Sequence, residues 1–154
     1  MDELMEYRRQ LLDRLPAAAR EFREACLALK NPFASIEEGW NAHQVAVHTR
    51  DTDKLVYGAR ARRTIKEHNP EFKNFDGEAY MAMHYDAKEP LKNILDELVS
   101  SVDELTQALL YLPNESWARE SRHETQGEGL TLQLWIERGL KHIEEHLETV
   151  KKVN

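Results

Sequence analysis

Two histidines stand four residues apart in LQLWIERGLKHIEEHLETV, His142 and His146. Four residues is just over one helical turn, so on a helix both imidazoles point the same way. Their stripe should be apolar, since it also carries Leu132, Trp135, Ile136, Gly139, Ile143, Leu147 and Val150. A polar ring on such a face costs free energy unless it finds a partner. A third histidine, His48, falls on an inward position of an earlier helical stretch, with Val45 and Thr52. Separate hydrogen-bond partners would satisfy the three rings one by one. A single divalent cation would satisfy all of them, two ligands coming from one helix and a third from a facing helix. Spacing alone leaves both readings open. Three protein ligands would leave coordination positions for water or substrate, the arrangement of a catalytic rather than a structural metal. Such an ion activates water for hydrolysis or binds a thiol as thiolate for transfer.

The segment His-Ile-Glu-Glu-His also fits H-x-x-E-H, with Glu145 as a would-be base. A peptidase reading fails because little chain follows His146 to supply a downstream glutamate ligand. The other histidines, His43, His68, His84 and His123, fall at helix ends or in connections, where solvated or capping side chains are expected. Around the inward three, Thr52, Trp135, Tyr85 and Gly139 are pocket candidates, with Trp40 as a further wall and Asp51 as a weaker polar neighbour. Gly139, one turn before His142, could leave room beside an ion or serve helix contact. For the aromatic rings, core packing is the competing role.

The elements that must position these residues follow from helical periodicity. A first helix is expected over about 2–29, with Leu4, Leu11, Leu12, Leu15, Phe22, Cys26 and Leu29 inward and a kink at Pro16. Asn41 and Gln44 form a capping box for a second helix over 42 to about 67, with Val45, His48, Thr52, Leu55, Ala59 and Ile65 on one side. Residues 69–86 form a long aromatic connection containing a short helix near 77–84, and a connection this long crosses a bundle or serves function. A third helix is expected over about 87–112, with Asp86 and Glu89 as a second capping box. A polar loop over 113–130 leads to the last helix, near Thr131 or Leu132. No strand signal stands out. The fold expected is all-α, one four-helix bundle domain over 1–154, with a long crossover that lets helices two and three run parallel.

Composition agrees with a soluble chain. Lys plus Arg is 21 and Asp plus Glu is 28, a net charge of −7 that argues against general affinity for nucleic acid or anionic membranes. The basic run Arg60, Arg62, Arg63 and Lys66 reads as a solvated helix face. One cysteine, Cys26, allows no intrachain disulfide and reads as a packing residue. No apolar run approaches the roughly 20 residues that span a bilayer, and the charged N-terminus is unlike a signal peptide. A cytoplasmic location is the expectation.

The stretch Trp40-Asn41-Ala42-His43-Gln44-Val45-Ala46-Val47-His48 resembles the tryptophan-to-histidine signature of the DinB-like (DinB/YfiT) superfamily, His48 taking the place of the first metal ligand. His142 and His146 resemble the other two, and Asn69-Pro70-Glu71-Phe72 and Tyr85-Asp86-Ala87-Lys88-Glu89-Pro90 resemble segments between them. The resemblance implies a four-helix bundle carrying zinc, nickel, iron or manganese on three histidines, often as a homodimer. Characterised members include thiol-dependent transferases and isomerases, so it implies a small-molecule substrate and a thiol S-transferase using a bacillithiol- or mycothiol-like thiol; the chemistry of an open divalent metal keeps a hydrolase beside it. The alternative is a non-catalytic, metal-stabilised bundle that binds a ligand or partner. Relatives often carry glutamine three residues after the last histidine, where this chain has Thr149.

Overall fold

The computed structural model describes residues 2–37 and 39–153. Helix α1 (Glu3–Leu27) is capped by the Asp2 carboxylate and runs through Pro16 without a break. A two-strand hairpin, β1 (Ser35–Glu37) with β2 (Trp40–Asn41), leads into α2 (Ala42–Thr52). The capping box at the start of α2 forms: the Asn41 side chain accepts from the Gln44 amide at 2.8 Å, and Gln44 accepts from the Asn41 amide at 2.9 Å. A π turn (Asp53–Tyr57) joins α2 to α3 (Gly58–Lys66). Then come β3 (Glu71–Phe72), α4 (Gly77–His84), α5 (Leu91–Leu110), a short 3-10 turn, β4 (Glu120–His123), β5 (Gly127–Thr131) and α6 (Leu132–Lys151).

Side-chain pairings fix the directions. Arg50 reaches Glu89 and Glu97, Lys54 reaches Glu97, and Arg62 donates to the Ser101 carbonyl, so α2–α3 and α5 run parallel. Arg8 to Gln133 and Arg14 to Glu144 make α1 and α6 parallel as well. Arg20 to Asp103 and Arg23 to Asp96 set α1 against α5, and His48 to His142 sets α2 against α6. The result is a four-helix bundle with two parallel neighbour pairs, each demanding a long crossover. Its core is the apolar stripe of each helix: Leu15 and Phe22 of α1, Val45 of α2, Leu98 and Val102 of α5, Ile136 and Ile143 of α6. Cys26 is fully buried there, and burial pushes its thiol up to about 12, so it packs rather than reacts.

Several local expectations are corrected. Leu4 and Leu55 are exposed, not core. The π turn inserts one residue, which rotates the helix face by about 100°; Val56 and Arg60 therefore turn inward in place of Leu55 and Ala59. Helix α5 begins after Pro90, not at 87: Asp86 caps a turn by accepting from the Lys88 amide, and Glu89 pairs with Arg50. Strands do exist. β3 lies parallel to β4 and β4 antiparallel to β5, in a small sheet covering one end of the bundle. Trp135 of α6 binds this sheet, its indole N–H donating to Ser121 Oγ at 2.8 Å and its ring edge-on to Phe72.

The π turn buries the Asp53 carboxyl at 6% exposure, leaving Oδ2 without a hydrogen bond among the described residues. Burial pushes this group up from 3.8 to about 6, against a hydrogen bond from Ser101 and the charge of Arg62. A raised carboxyl contributes stability that is present below its unfolded value of 3.8 and lost as pH rises through about 6. Asp53→Asn is therefore expected to be more stable than the parent by about 3 kcal/mol at pH 8. The gap should close as pH falls from 6 to 4, in urea denaturation across that range.

Candidate metal centre

α2 and α6 are antiparallel neighbours, and this brings His48 level with the last three turns of α6. Ile143 and Leu147 take the core positions on α6, so His142 and His146 stand on the flank beside them, half-buried. The three rings converge. His142 Nε2 lies 3.2 Å from His48 Nε2 and 3.1 Å from His146 Nε2. All three offer a ring nitrogen within 4.8 Å of the others, in the one such cluster of metal-binding side chains among the described residues.

A neutral imidazole carries one N–H, so His142 Nε2 could donate to only one of the two nitrogens it faces. Hydrogen bonding therefore satisfies half of this contact. Two nitrogens bound to one tetrahedral cation at about 2.0–2.1 Å lie about 3.3–3.4 Å apart, close to the separations seen. Desolvation, and then the neighbouring His146 and His48, push His142 down to about 3. Burial also lowers His146, against the opposing charge of Glu145. Both rings are thus held neutral, the form that binds metal. The donor set fits a divalent ion.

Around the cluster, Thr52 Oγ1 donates to the His48 carbonyl at 2.6 Å and lies 3.4 Å from His48 Nδ1. The Trp40 ring sits 4.9 Å from that of His48. Gly77, at the start of α4, comes so close that a Cβ there would lie 3.2 Å from His48 Cε1. Gly139 makes room not for an ion but for Tyr57, whose Cβ is 3.2 Å from where its own would be. Tyr57 then lies 5.2 Å from the His142 ring, centroid to centroid. Sequence reasoning missed Tyr57, which an uninterrupted α-helix does not turn toward α6.

The remaining candidates sit elsewhere. Trp135 is under the sheet. Tyr85 bonds His43 Nδ1 at 2.7 Å, and Asp51 pairs with Arg50. Glu145 is exposed and pairs with Lys141. His68 and His84 are exposed as expected, but His43 and His123 are not solvated. His43 is buried because its other ring nitrogen finds the Glu89 carbonyl at 2.7 Å. His123 is buried because its Nδ1 accepts from the Thr125 and Gln126 amides at 3.1 and 3.2 Å.

A helical bundle with a three-histidine cluster between two of its helices defines the class. The chain belongs to the DinB superfamily, whose family model matches residues 1–150. In fold it is similar to YfiT from Bacillus subtilis, described as a probable metal-dependent hydrolase with an unusual four-helix bundle topology. The TM-score is 0.87 at 17% identity, over 99% of this chain and 87% of that one. No curated protein sequence matches the chain. Among the described residues, no helix is long and apolar enough to cross a membrane.

Proposed function

We propose that the chain is a metal-dependent hydrolase of small molecules, its ion held by His48, His142 and His146. The observation that carries this reading is the meeting of three ring nitrogens from two helices, His142 Nε2 lying 3.1–3.2 Å from the other two, with His142 and His146 held neutral by burial. The description of YfiT as a probable metal-dependent hydrolase points the same way. A divalent ion held there supplies Lewis acidity toward a substrate carbonyl oxygen or water.

The chain's own residues supply the rest. Burial raises the Tyr57 phenol above its usual range, opposed by Arg60 and Arg138 and helped by Glu145, so it keeps its proton at neutral pH. Beside His142, and bonded to no described residue, its O–H donates to negative charge developing on a substrate oxygen. Trp40 and Gly77 close over His48 and limit water at that side.

Metal-loaded and metal-stripped protein are compared on p-nitrophenyl esters and lactones. Turnover should vanish on stripping and return on reloading. Tyr57→Phe should lower kcat about 100-fold with metal content unchanged. Turnover indifferent to stripping would overturn the reading. Conjugation of a thiol to an electrophile, without hydrolysis, would replace the hydrolase with a thiol transferase on the same centre.

A further inference from the structure

Arg60 was expected in solvent with Arg62, Arg63 and Lys66, yet it is only 7% exposed. Its guanidinium lies over the rings of Trp135 at 4.9 Å and Phe72 at 5.7 Å. A buried cation normally has an anionic partner, because desolvating an unpaired charge is costly. Arg60 has no carboxylate within ion-pair distance among the described residues. It has one hydrogen-bond acceptor, the Lys73 carbonyl at 3.0 Å. Its other polar neighbour, His123 Nε2 at 3.4 Å, is no acceptor. Two backbone amides donate to His123 Nδ1, which leaves the ring proton on Nε2, so donor faces donor. Arg138 adds a second positive charge, its guanidinium 5.2 Å from the same Trp135 ring and also without a carboxylate partner among the described residues.

Arg60 lines a groove of about 250 Å³ whose apolar walls include Leu55, Phe72 and Phe75. The other cations there are already paired, Arg63 with Glu67 and Lys73 with Glu71. The groove's Phe75 end lies toward the metal centre, since one Cβ placed on Gly77 would touch both Phe75 and the His48 ring, although no histidine of the cluster lines the groove itself. From Trp135, beneath Arg60, to His142 is seven residues of α6, about 10 Å.

We propose that this groove binds the carboxylate of an otherwise apolar organic acid, with Arg60 as its anchor and Arg138 adding to the field. The apolar body lies along Phe72 and Phe75, and the reacting group sits about 10 Å from the carboxylate, at the histidines. That last step rests on the hydrolase reading, whereas binding of the carboxylate does not. The site thus narrows the substrate class to esters or amides that carry a remote carboxylate.

The probe is 4-phenylbutyrate, with neutral 4-phenylbutyramide as its control, titrated into metal-free and metal-loaded protein. The Trp135 indole N–H is followed by heteronuclear NMR. Saturable binding of the acid in both forms is expected, with the amide at least about 10-fold weaker. Arg138→Gln, at a partly exposed position, should weaken the acid about 10-fold with an unchanged melting temperature; Arg60→Gln should abolish binding. Equal binding of acid and amide, or acid affinity unchanged in both variants, would overturn the site and leave Arg60 as a stacking residue that holds the sheet to the bundle. Failure of hydrolysis with carboxylate binding intact would overturn the hydrolase reading alone.

Discussion

His142→Ala protein should purify without its metal. The parent should carry about one equivalent of divalent ion per chain, measured by inductively coupled plasma mass spectrometry after dialysis. His142 is the middle ring, its Nε2 within 3.2 Å of both others, so its removal leaves two nitrogens on different helices with nothing between them. Losing even an outer-sphere partner costs about 10–100-fold in metal affinity, and losing a direct ligand costs more. The same substitution should also cancel ligand-linked stabilisation. At about 1,000 times the dissociation constant, metal adds about 4 kcal/mol to folding, on the order of 10 °C in melting temperature for a chain this size. The variant should show no such shift. Without metal its stability should change little, because the lost ring was desolvated and held neutral against its own titration. Full metal occupancy in the variant would overturn the assignment of the three histidines.

Gly58→Ala is the second large effect, and its sign is the informative part. Within a helix, alanine is ordinarily better than glycine by about 1 kcal/mol. Here the Gly58 amide donates to the Asp53 carbonyl five residues back, which closes the π turn. A Cβ on Gly58 would lie 2.6 Å from that same oxygen and 2.8 Å from Arg62 Nη1. The side chain of Arg62 can move; the carbonyl cannot without opening the turn. The substitution should cost about 3 kcal/mol, at the upper end of overpacking penalties, in urea denaturation monitored by circular dichroism. If the helix instead reverts to α geometry, Tyr57 and Arg60 rotate by about 100° away from α6, and the proximity of Tyr57 to His142 disappears from nuclear Overhauser spectra. A gain in stability with Tyr57 still beside His142 would show that the turn does not depend on glycine.

The long helices were legible because their stripes are regular. Ile94, Leu95, Leu98, Val102, Leu105 and Leu109 repeat at helical spacing and are all buried. The Asn41–Gln44 box and the start of α6 after Thr131 were equally plain. The parallel course of α2–α3 and α5 followed from the length of the connection between them. The strands were not legible, since β3 is two residues long and pairs with residues 122 and 123, far along the chain. Nor was the π turn, because one inserted residue leaves no mark on composition while moving Arg60 from the solvent face to the interior. At the metal centre, the pairing of His142 with His146 was visible in their spacing. Their meeting with His48 was one of two readings that the inward positions left open and that the family resemblance favoured, because helix direction, not local pattern, sets which positions of α2 and α6 stand level. The burial of His43 and His123 likewise depends on partners from other elements, Tyr85 and Glu89 for one and the β4–β5 turn for the other.

The parallel course of α1 and α6 has a practical side for handling the protein. The helix of 20 residues is about 30 Å long, so Glu3 and Lys151 lie at opposite poles of the bundle. Lys151 is little more than one turn beyond His146. A polyhistidine purification tag on that side would dangle beside the cluster and compete with it for nickel or zinc. The same tag fused ahead of α1 would sit a bundle's length away, leaving metal measurements on the tagged protein interpretable.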